Sequence, residues 1–124
     1  MFLTQVDETV EAIVTESGEK LFELIGAGEK LGNTRQQSLA LSLIPPGKYS
    51  AAHHHRVSTE ILYILQGAGE LEVDGEKLEV TAGNVIMLEP GEVHSLFNTQ
   101  ANDDLKLLAM TTPAWSESDA FPAG

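Results

Sequence analysis

The chain has 124 residues, 42% of them hydrophobic, and a formal net charge of −12 at pH 7. This length suits one domain with its own core, and so acidic a surface would repel phosphate backbones and anionic lipid headgroups, so neither nucleic acid nor a membrane is an expected partner. The absence of cysteine excludes disulfides, thiolate metal sites and cysteine nucleophiles. Because the N-terminal segment lacks a basic region followed by an apolar run, we expect no signal peptide and a cytoplasmic location.

Short apolar runs separated by turn residues follow one another along the chain, a pattern typical of an all-β sandwich or barrel. The predicted strands cover 12–15, 21–25, 38–44, 60–66, 70–73, 77–80, 85–88, 94–97 and 105–111. Asp74-Gly75, between two of these runs, predicts a two-residue type I′ hairpin. We expect a single domain over residues 1–112, followed by an irregular and partly mobile tail over residues 113–124.

Four side chains with metal-binding groups, His53, His55, Glu60 and His94, stand out in the middle of the chain. Three imidazoles and one carboxylate make a donor set suited to a divalent first-row transition metal. Side chains alternate faces along a strand, so His53 and His55 would share one face, with His54 pointing to solvent. The alternative from these residues alone is a surface histidine cluster beside an unrelated core histidine.

The spacing around these residues resembles the two motifs of the cupin superfamily. The first motif, Gly-x5-His-x-His-x4-Glu-x6-Gly, is matched over residues 47–67, and the second, Gly-x5-Pro-x-Gly-x2-His-x3-Asn, over residues 83–98. One position departs, because Glu89 stands where the motif has proline and Pro90 follows it. Glu89 would lie near the barrel rim, either as an acid/base group or simply solvated.

The resemblance implies a cupin fold, that is, a double-stranded β-helix or jelly-roll barrel, with a metal inside one end. His53, His55, Glu60 and His94 would be its ligands, and Mn, Fe, Ni or Zn would all suit them. Compact members of the family are often homodimers, so we expect a homodimer. The N-terminal segment and the tail could cross between subunits, with Trp115 and Phe121 either as anchors on the partner or as plugs over their own barrel.

Candidates for chemistry beyond the metal ligands are few. Tyr49 has the same strand parity as His53 and could face the cavity as a proton donor or substrate contact, or it could be a rim aromatic with a structural hydroxyl. The leucines of the predicted strands (Leu39, Leu41, Leu43, Leu62, Leu96) are expected in the barrel core. Any cavity they lined would be apolar and would suit a small organic ligand.

In the cupin family this ligand set serves dioxygenases, isomerases, decarboxylases and proteins that store or sense small molecules. The segment 109–115 also resembles compact cupins described as sugar-phosphate-isomerase-like. The sequence therefore predicts a metal-dependent dioxygenase or isomerase acting on a small oxygenated metabolite. The alternative is a non-catalytic cupin that binds a small molecule or a metal.

Overall fold

In the computed structural model, which describes residues 1–10 and 12–123, almost all regular structure is β-strand. The strands are β1 (Ile13–Val14), β2 (Lys20–Ile25), β3 (Ser38–Ile44), β4 (Tyr49–His55), β5 (Thr59–Gln66), β6 (Ala68–Val73), β7 (Glu76–Thr81), β8 (Val85–Leu88), β9 (His94–Asn98), β10 (Leu105–Thr112) and β11 (Ala120–Pro122). Single 3₁₀ turns occur at Glu29–Leu31 and Glu117–Asp119. No helix in the described ranges combines the length and apolar character that crossing a membrane requires.

Two antiparallel sheets form the barrel. The six-stranded sheet has the order β1-β2-β3-β10-β5-β8, and the five-stranded sheet has the order β11-β4-β9-β6-β7. Most neighbours in these orders are distant in sequence, as in a jelly roll, where the chain passes repeatedly between the two sheets. The predicted all-β, double-stranded β-helix fold is confirmed.

The hydrophobic core lies between the sheets, where strand alternation sends every second side chain inward. Its fully buried members include Ile44, Ile64, Leu71 and Leu105, each 0% exposed. Burial of each of these side chains stabilises the fold by roughly 1.5–3 kcal/mol.

The hairpin between β6 and β7 has the turn that its sequence predicts. Asp74 and Gly75 have φ angles of 48° and 86°, the positive values that a type I′ turn requires at both central positions. Val73 pairs with Glu76 across this turn.

The tail is more regular than predicted. Residues 120–122 form β11, which pairs with β4 in the register Ala120↔His55, Phe121↔His54 and Pro122↔His53. The physical reason is that β4 would otherwise be a sheet edge with unpaired backbone groups, which a following segment can satisfy. The prediction of an irregular tail is therefore wrong for this part of it, and Gly124 lies outside the described residues.

Candidate metal centre

Two neighbouring strands and one strand of the opposite sheet supply the predicted metal ligands. His53 and His55 lie on β4, His94 lies beside them on β9, and Glu60 lies on β5 across the barrel. His53 pairs directly with His94, and their ring centroids are 4.4 Å apart. His55, Glu60 and His94 are buried. The structure therefore brings together all four of the residues that the sequence singles out.

A hydrogen bond between the turn at Pro90-Gly91 and β4 helps to place His94. Gly91 has a φ of 90°, which favours glycine, and its N–H donates to the carbonyl oxygen of His55 at 2.6 Å. The turn that carries the displaced proline is thus formed, and Glu89 is exposed beside it. The shift from the usual motif position leaves the approach of β9 to β4 intact.

All three imidazoles are held by a hydrogen bond between Nδ1 and a backbone carbonyl oxygen. Since a carbonyl oxygen can only accept, each Nδ1 carries a proton, and Nε2 is the ring atom left to coordinate a metal. The acceptors are the carbonyl of Ala51 for His53 (2.9 Å), that of Asp119 for His55 (3.0 Å) and that of Glu92 for His94 (3.1 Å). Metal-ligating histidines are commonly held by such outer contacts.

The Nε2 atoms converge on the carboxylate of Glu60. Its Oε1 lies 2.9 Å from Nε2 of His94 and its Oε2 lies 3.5 Å from Nε2 of His55. Ligand atoms of His53, Glu60 and His94 all lie within 4.8 Å of one another. Nε2 of His55 is buried without a hydrogen-bond partner, a costly state that coordination to a metal would relieve. The donor set and this orphaned nitrogen fit a transition metal.

Electrostatics favour the ligand forms of Glu60 and His53, whereas the Glu60 carboxylate raises the pKa of His55 in the metal-free protein. Burial alone would raise the pKa of Glu60, but the His55 and His94 imidazoles beside the carboxylate outweigh burial and lower the pKa to about 2. Burial lowers the pKa of His53, which favours its neutral form. A carboxylate and a neutral imidazole are the forms that coordinate metals.

The C-terminal segment packs directly on the outer side of this cluster. The Asp119 carboxylate accepts hydrogen bonds from the backbone N–H groups of Arg56, Val57 and Ser58, each at 3.0 Å. These bonds lower the pKa of Asp119 against the opposing effect of burial. They also hold the carbonyl group of Asp119 against His55.

The prediction that His54 faces solvent needs a correction, because Phe121 covers the His54 side chain. The Phe121 ring stacks on the His54 imidazole at a centroid distance of 5.3 Å. The Arg56 guanidinium also lies over the Phe121 ring, 4.1 Å from its centroid. His54 is consequently half-buried, although it points away from the metal ligands as its parity predicts. Phe121 packs on its own barrel.

Tyr49 does not face the cavity, so that prediction is wrong. Its ring is 41% exposed and stacks on Phe97 at a centroid distance of 5.1 Å. The reason is a β-bulge in β4, where the register with β9 shifts between Ser50 and His53. The extra residue reverses the alternation, so Ser50 and His53 both face inward and Tyr49 faces outward.

A cavity of about 390 Å³ adjoins the cluster and extends between the sheets toward β2. His53, Glu60 and His94 form part of its wall. Much of the remaining wall is apolar. It includes Leu39, Leu62 and Leu96, the alternative to a purely core position, while Leu41 and Leu43 are buried outside it. Trp115, 48% exposed, also lines the cavity. The tail thus contributes a wall residue to its own barrel.

Sequence reasoning missed Glu19, which lines the cavity with Leu21, Glu23 and Ile25 from one face of β2 and the turn before it. Ser42, itself 1% exposed, donates a hydrogen bond to Oε2 of Glu19 at 2.6 Å. Burial raises the pKa of Glu19. The period-two alternation with Leu21 and Ile25 was the signal that could have identified this carboxyl as inward-facing.

Comparisons with known proteins agree with this fold. The family model described as Cupin domain matches residues 40–111. Uncharacterized protein MJ1618 of Methanocaldococcus jannaschii is 34% identical over 116 residues, which cover 94% of this chain and 90% of that protein. The oxalate-binding protein of Thermotoga maritima is 40% identical over 67 residues, covering 54% of each chain. A crystal structure of a predicted oxalate decarboxylase from the same organism has a TM-score of 0.70 and 31% identity, covering 83% of this chain and 90% of that one.

Proposed function

This chain belongs to the cupin family, and from that premise we propose that it is a metal-dependent enzyme acting on a small oxygenated metabolite. One observation carries the proposal: His53, Glu60 and His94 bring metal-binding atoms within 4.8 Å of one another at the wall of a largely apolar cavity. A volume of about 390 Å³ lies within the range of small-molecule sites, roughly 300–1,000 Å³.

We propose that His53, His55, Glu60 and His94 hold one divalent Mn, Fe, Ni or Zn ion. When bound, such an ion polarises an oxygen-containing substrate and acidifies neighbouring C–H or O–H groups. The apolar walls formed by side chains such as Leu62 and Leu96 would limit the access of water and so strengthen polar interactions inside the cavity.

Between the two reaction classes that the sequence leaves open, we favour isomerase-type proton transfer over dioxygenase chemistry. Proton transfer needs a side-chain acid or base near the substrate. Glu19 lines the cavity outside the metal cluster and has a raised pKa, caused mainly by burial, so it is suited to this role at a pH nearer neutrality than an ordinary glutamate.

A second candidate is non-catalytic binding of a small oxygen-rich anion. The observation that favours it is the likeness to the oxalate-binding protein of Thermotoga maritima, which covers 54% of this chain. A chelating dicarboxylate would match the open positions of an ion held by three histidines and a glutamate.

The first test is the metal content of untagged, anaerobically purified protein, measured by elemental mass spectrometry with His94→Ala as the control. Stoichiometric metal that is lost in His94→Ala is expected, because one strong ligand is removed. Wild-type protein that binds no Mn, Fe, Ni or Zn on titration would contradict the proposal.

A second experiment separates the reaction classes. Loaded protein is incubated in D₂O with a panel of small hydroxyaldehydes and hydroxyketones, and NMR follows deuterium entry at the carbon beside the carbonyl. Deuterium incorporation that depends on metal supports proton transfer, whereas dioxygen uptake with these substrates supports dioxygenase chemistry. Oxalate binding without either reaction would favour the binding protein.

For the quaternary structure we propose a homodimer that buries the outer face of β5 and β8. Tyr63, Leu65, Val85 and Met87 are 42–61% exposed there, and Tyr63 pairs directly with Val85. Adjacent apolar side chains on an outer sheet face are typical of an interaction surface. Sedimentation analysis should show a dimer that Met87→Glu dissociates, and a wild-type monomer at micromolar concentration would contradict this assignment.

A further inference from the structure

Glu19 lies in the turn before β2, on the wall of the cavity outside the metal cluster. The backbone places it beside β4, because Gly18 forms a bridge with Tyr49, and Ser50, the next residue of β4, also lines the cavity. Glu19, Glu60 and His94 line the same cavity. One ligand could therefore contact both Glu19 and the cluster.

The polar lining outside the metal cluster is acidic and hydroxylic. Glu19 and Glu23 are the charged residues in this part of the wall, and no lysine or arginine is among the described residues that line the cavity. A ligand with a second carboxylate at this end would therefore meet negative charge without a cationic partner. A ligand hydroxyl, by contrast, can hydrogen-bond to a carboxyl in either of its protonation states.

The carboxyl of Glu19 is held in place, unlike that of Glu23. The hydrogen bond from Ser42 engages Oε2 of Glu19, and Ser42 is itself almost completely buried in β3. Glu23 is an exposed residue further along β2. An oriented carboxyl in an apolar wall is the kind of placed polar group that gives a small-molecule site its specificity.

We propose that Glu19 is a specificity-determining residue that hydrogen-bonds a distal hydroxyl of a small polyhydroxylated acid, whose carboxylate end binds at the His53–Glu60–His94 cluster. The inference rests on the proposed function of this site as a metal-dependent small-molecule site. It names the ligand class: hydroxylated acids of sugar type in preference to plain dicarboxylates.

The test compares matched acids by calorimetric titration of the zinc-loaded protein. Two pairs share a 2-hydroxycarboxylate end and differ in their distal hydroxyls: threonate against 2-hydroxybutanoate, and gluconate against 2-hydroxyhexanoate. Oxalate serves as a chelating acid without a hydroxyl. We expect wild-type protein to prefer the hydroxylated member of at least one pair by about tenfold, the contribution of one hydrogen bond to a carboxyl.

The Glu19→Leu variant should lose this preference and bind oxalate at least as tightly as the wild type. Glu19→Gln keeps the shape and an acceptor for Ser42, so it should lose only part of the preference, and it provides the test if Glu19→Leu does not fold. Glu16→Gln makes the same charge change at an exposed position outside the cavity and should leave the preference unchanged.

The outcomes distinguish this inference from the function on which it rests. Two results would overturn the assignment of Glu19 alone, provided that oxalate binds. One is a wild-type protein without any preference for the hydroxylated acids, and the other is a preference that is unchanged in Glu19→Gln and Glu19→Leu. Failure of every acid, including oxalate, to bind the zinc-loaded protein would overturn the proposed function and the assignment with it.

Discussion

The backbone carbonyl of Asp119 accepts a hydrogen bond from Nδ1 of His55 at 3.0 Å, so the 3₁₀ turn before β11 sets the orientation of an imidazole in the candidate metal centre. The same residue fixes its own carbonyl by accepting three backbone N–H groups with its carboxylate. A single aspartate thus connects the C-terminal segment, the loop after β4 and the candidate metal centre. Removal of this side chain should affect metal binding even though Asp119 is not one of the four ligands.

Asp119→Ala should weaken zinc affinity roughly tenfold to a hundredfold, the usual effect of losing an outer partner of a metal ligand. Loss of the carboxylate frees the tail, and the carbonyl then no longer restricts the His55 ring. Competition titration with a zinc-binding dye measures the affinity, and ¹⁵N NMR of the histidines in metal-free protein reports the His55 tautomer. Glu117→Ala, an exposed acidic neighbour, is the matched control. Unchanged affinity and tautomer in Asp119→Ala would refute the positioning role.

His94→Ala should impair metal binding, whereas His54→Ala should impair packing. His94→Ala should cost more affinity than the roughly hundredfold upper range for an outer partner, because a direct ligand is lost. His54→Ala should leave affinity nearly unchanged but lower the free energy of unfolding by about 1 kcal/mol through the lost stacking on Phe121. Zinc titration and urea unfolding measure the two quantities. Equal losses of affinity in both variants would contradict the inward and outward placement of these rings.

Bound metal should stabilise the folded chain, because the four ligand groups converge only in the native structure. Zinc at a hundred times its dissociation constant should add about 2.7 kcal/mol to the free energy of unfolding, provided that the unfolded chain does not bind it. Differential scanning calorimetry with and without a chelator measures the change. The His94→Ala protein should respond much less, and a wild-type Tm that ignores both zinc and chelator would argue against the site.

Glu19→Gln should become more stable relative to the wild type as the pH rises. Burial raises the pKa of Glu19 above 4.5, so the folded state favours the neutral carboxyl, although Ser42 and the charge of His94 oppose the shift while the charge of Glu60 adds to it. The associated stability is fully present below pH 4.5 and is lost as the pH rises through the raised pKa. Urea unfolding of both metal-free proteins at a series of pH values gives the difference, and a difference that is flat or falls with pH would be inconsistent with burial of this carboxyl.

Local sequence signals were sufficient for the strands and turns. Alternating apolar residues located most strands to within a residue or two, and Asp74-Gly75 predicted a turn whose positive φ angles few other residue pairs tolerate. These features depend on neighbours along the chain, so the sequence carries them directly. The tail was harder to read, because β11 forms only where the free edge of β4 is available to it.

The spacing of His53, His55, Glu60 and His94 predicted that these residues meet, since the motif reflects one way of closing a barrel. Tyr49 shows where such reasoning fails. Parity placed it inside, but a bulge after Ser50 turns it outward, and a bulge is stabilised by contacts with β9 that leave no local signature.

The sequence by itself thus determined the fold class, the hairpin turn and the four candidate ligands, because periodicity, turn chemistry and ligand spacing are local properties or fixed offsets. Only the tertiary structure decided that the cavity contains Glu19 and that Asp119 orients His55. Both depend on contacts between distant segments: Glu19 meets Ser42 across 23 positions and Asp119 meets His55 across 64. Such contacts arise from how the two sheets pack, and packing is a property of the whole chain.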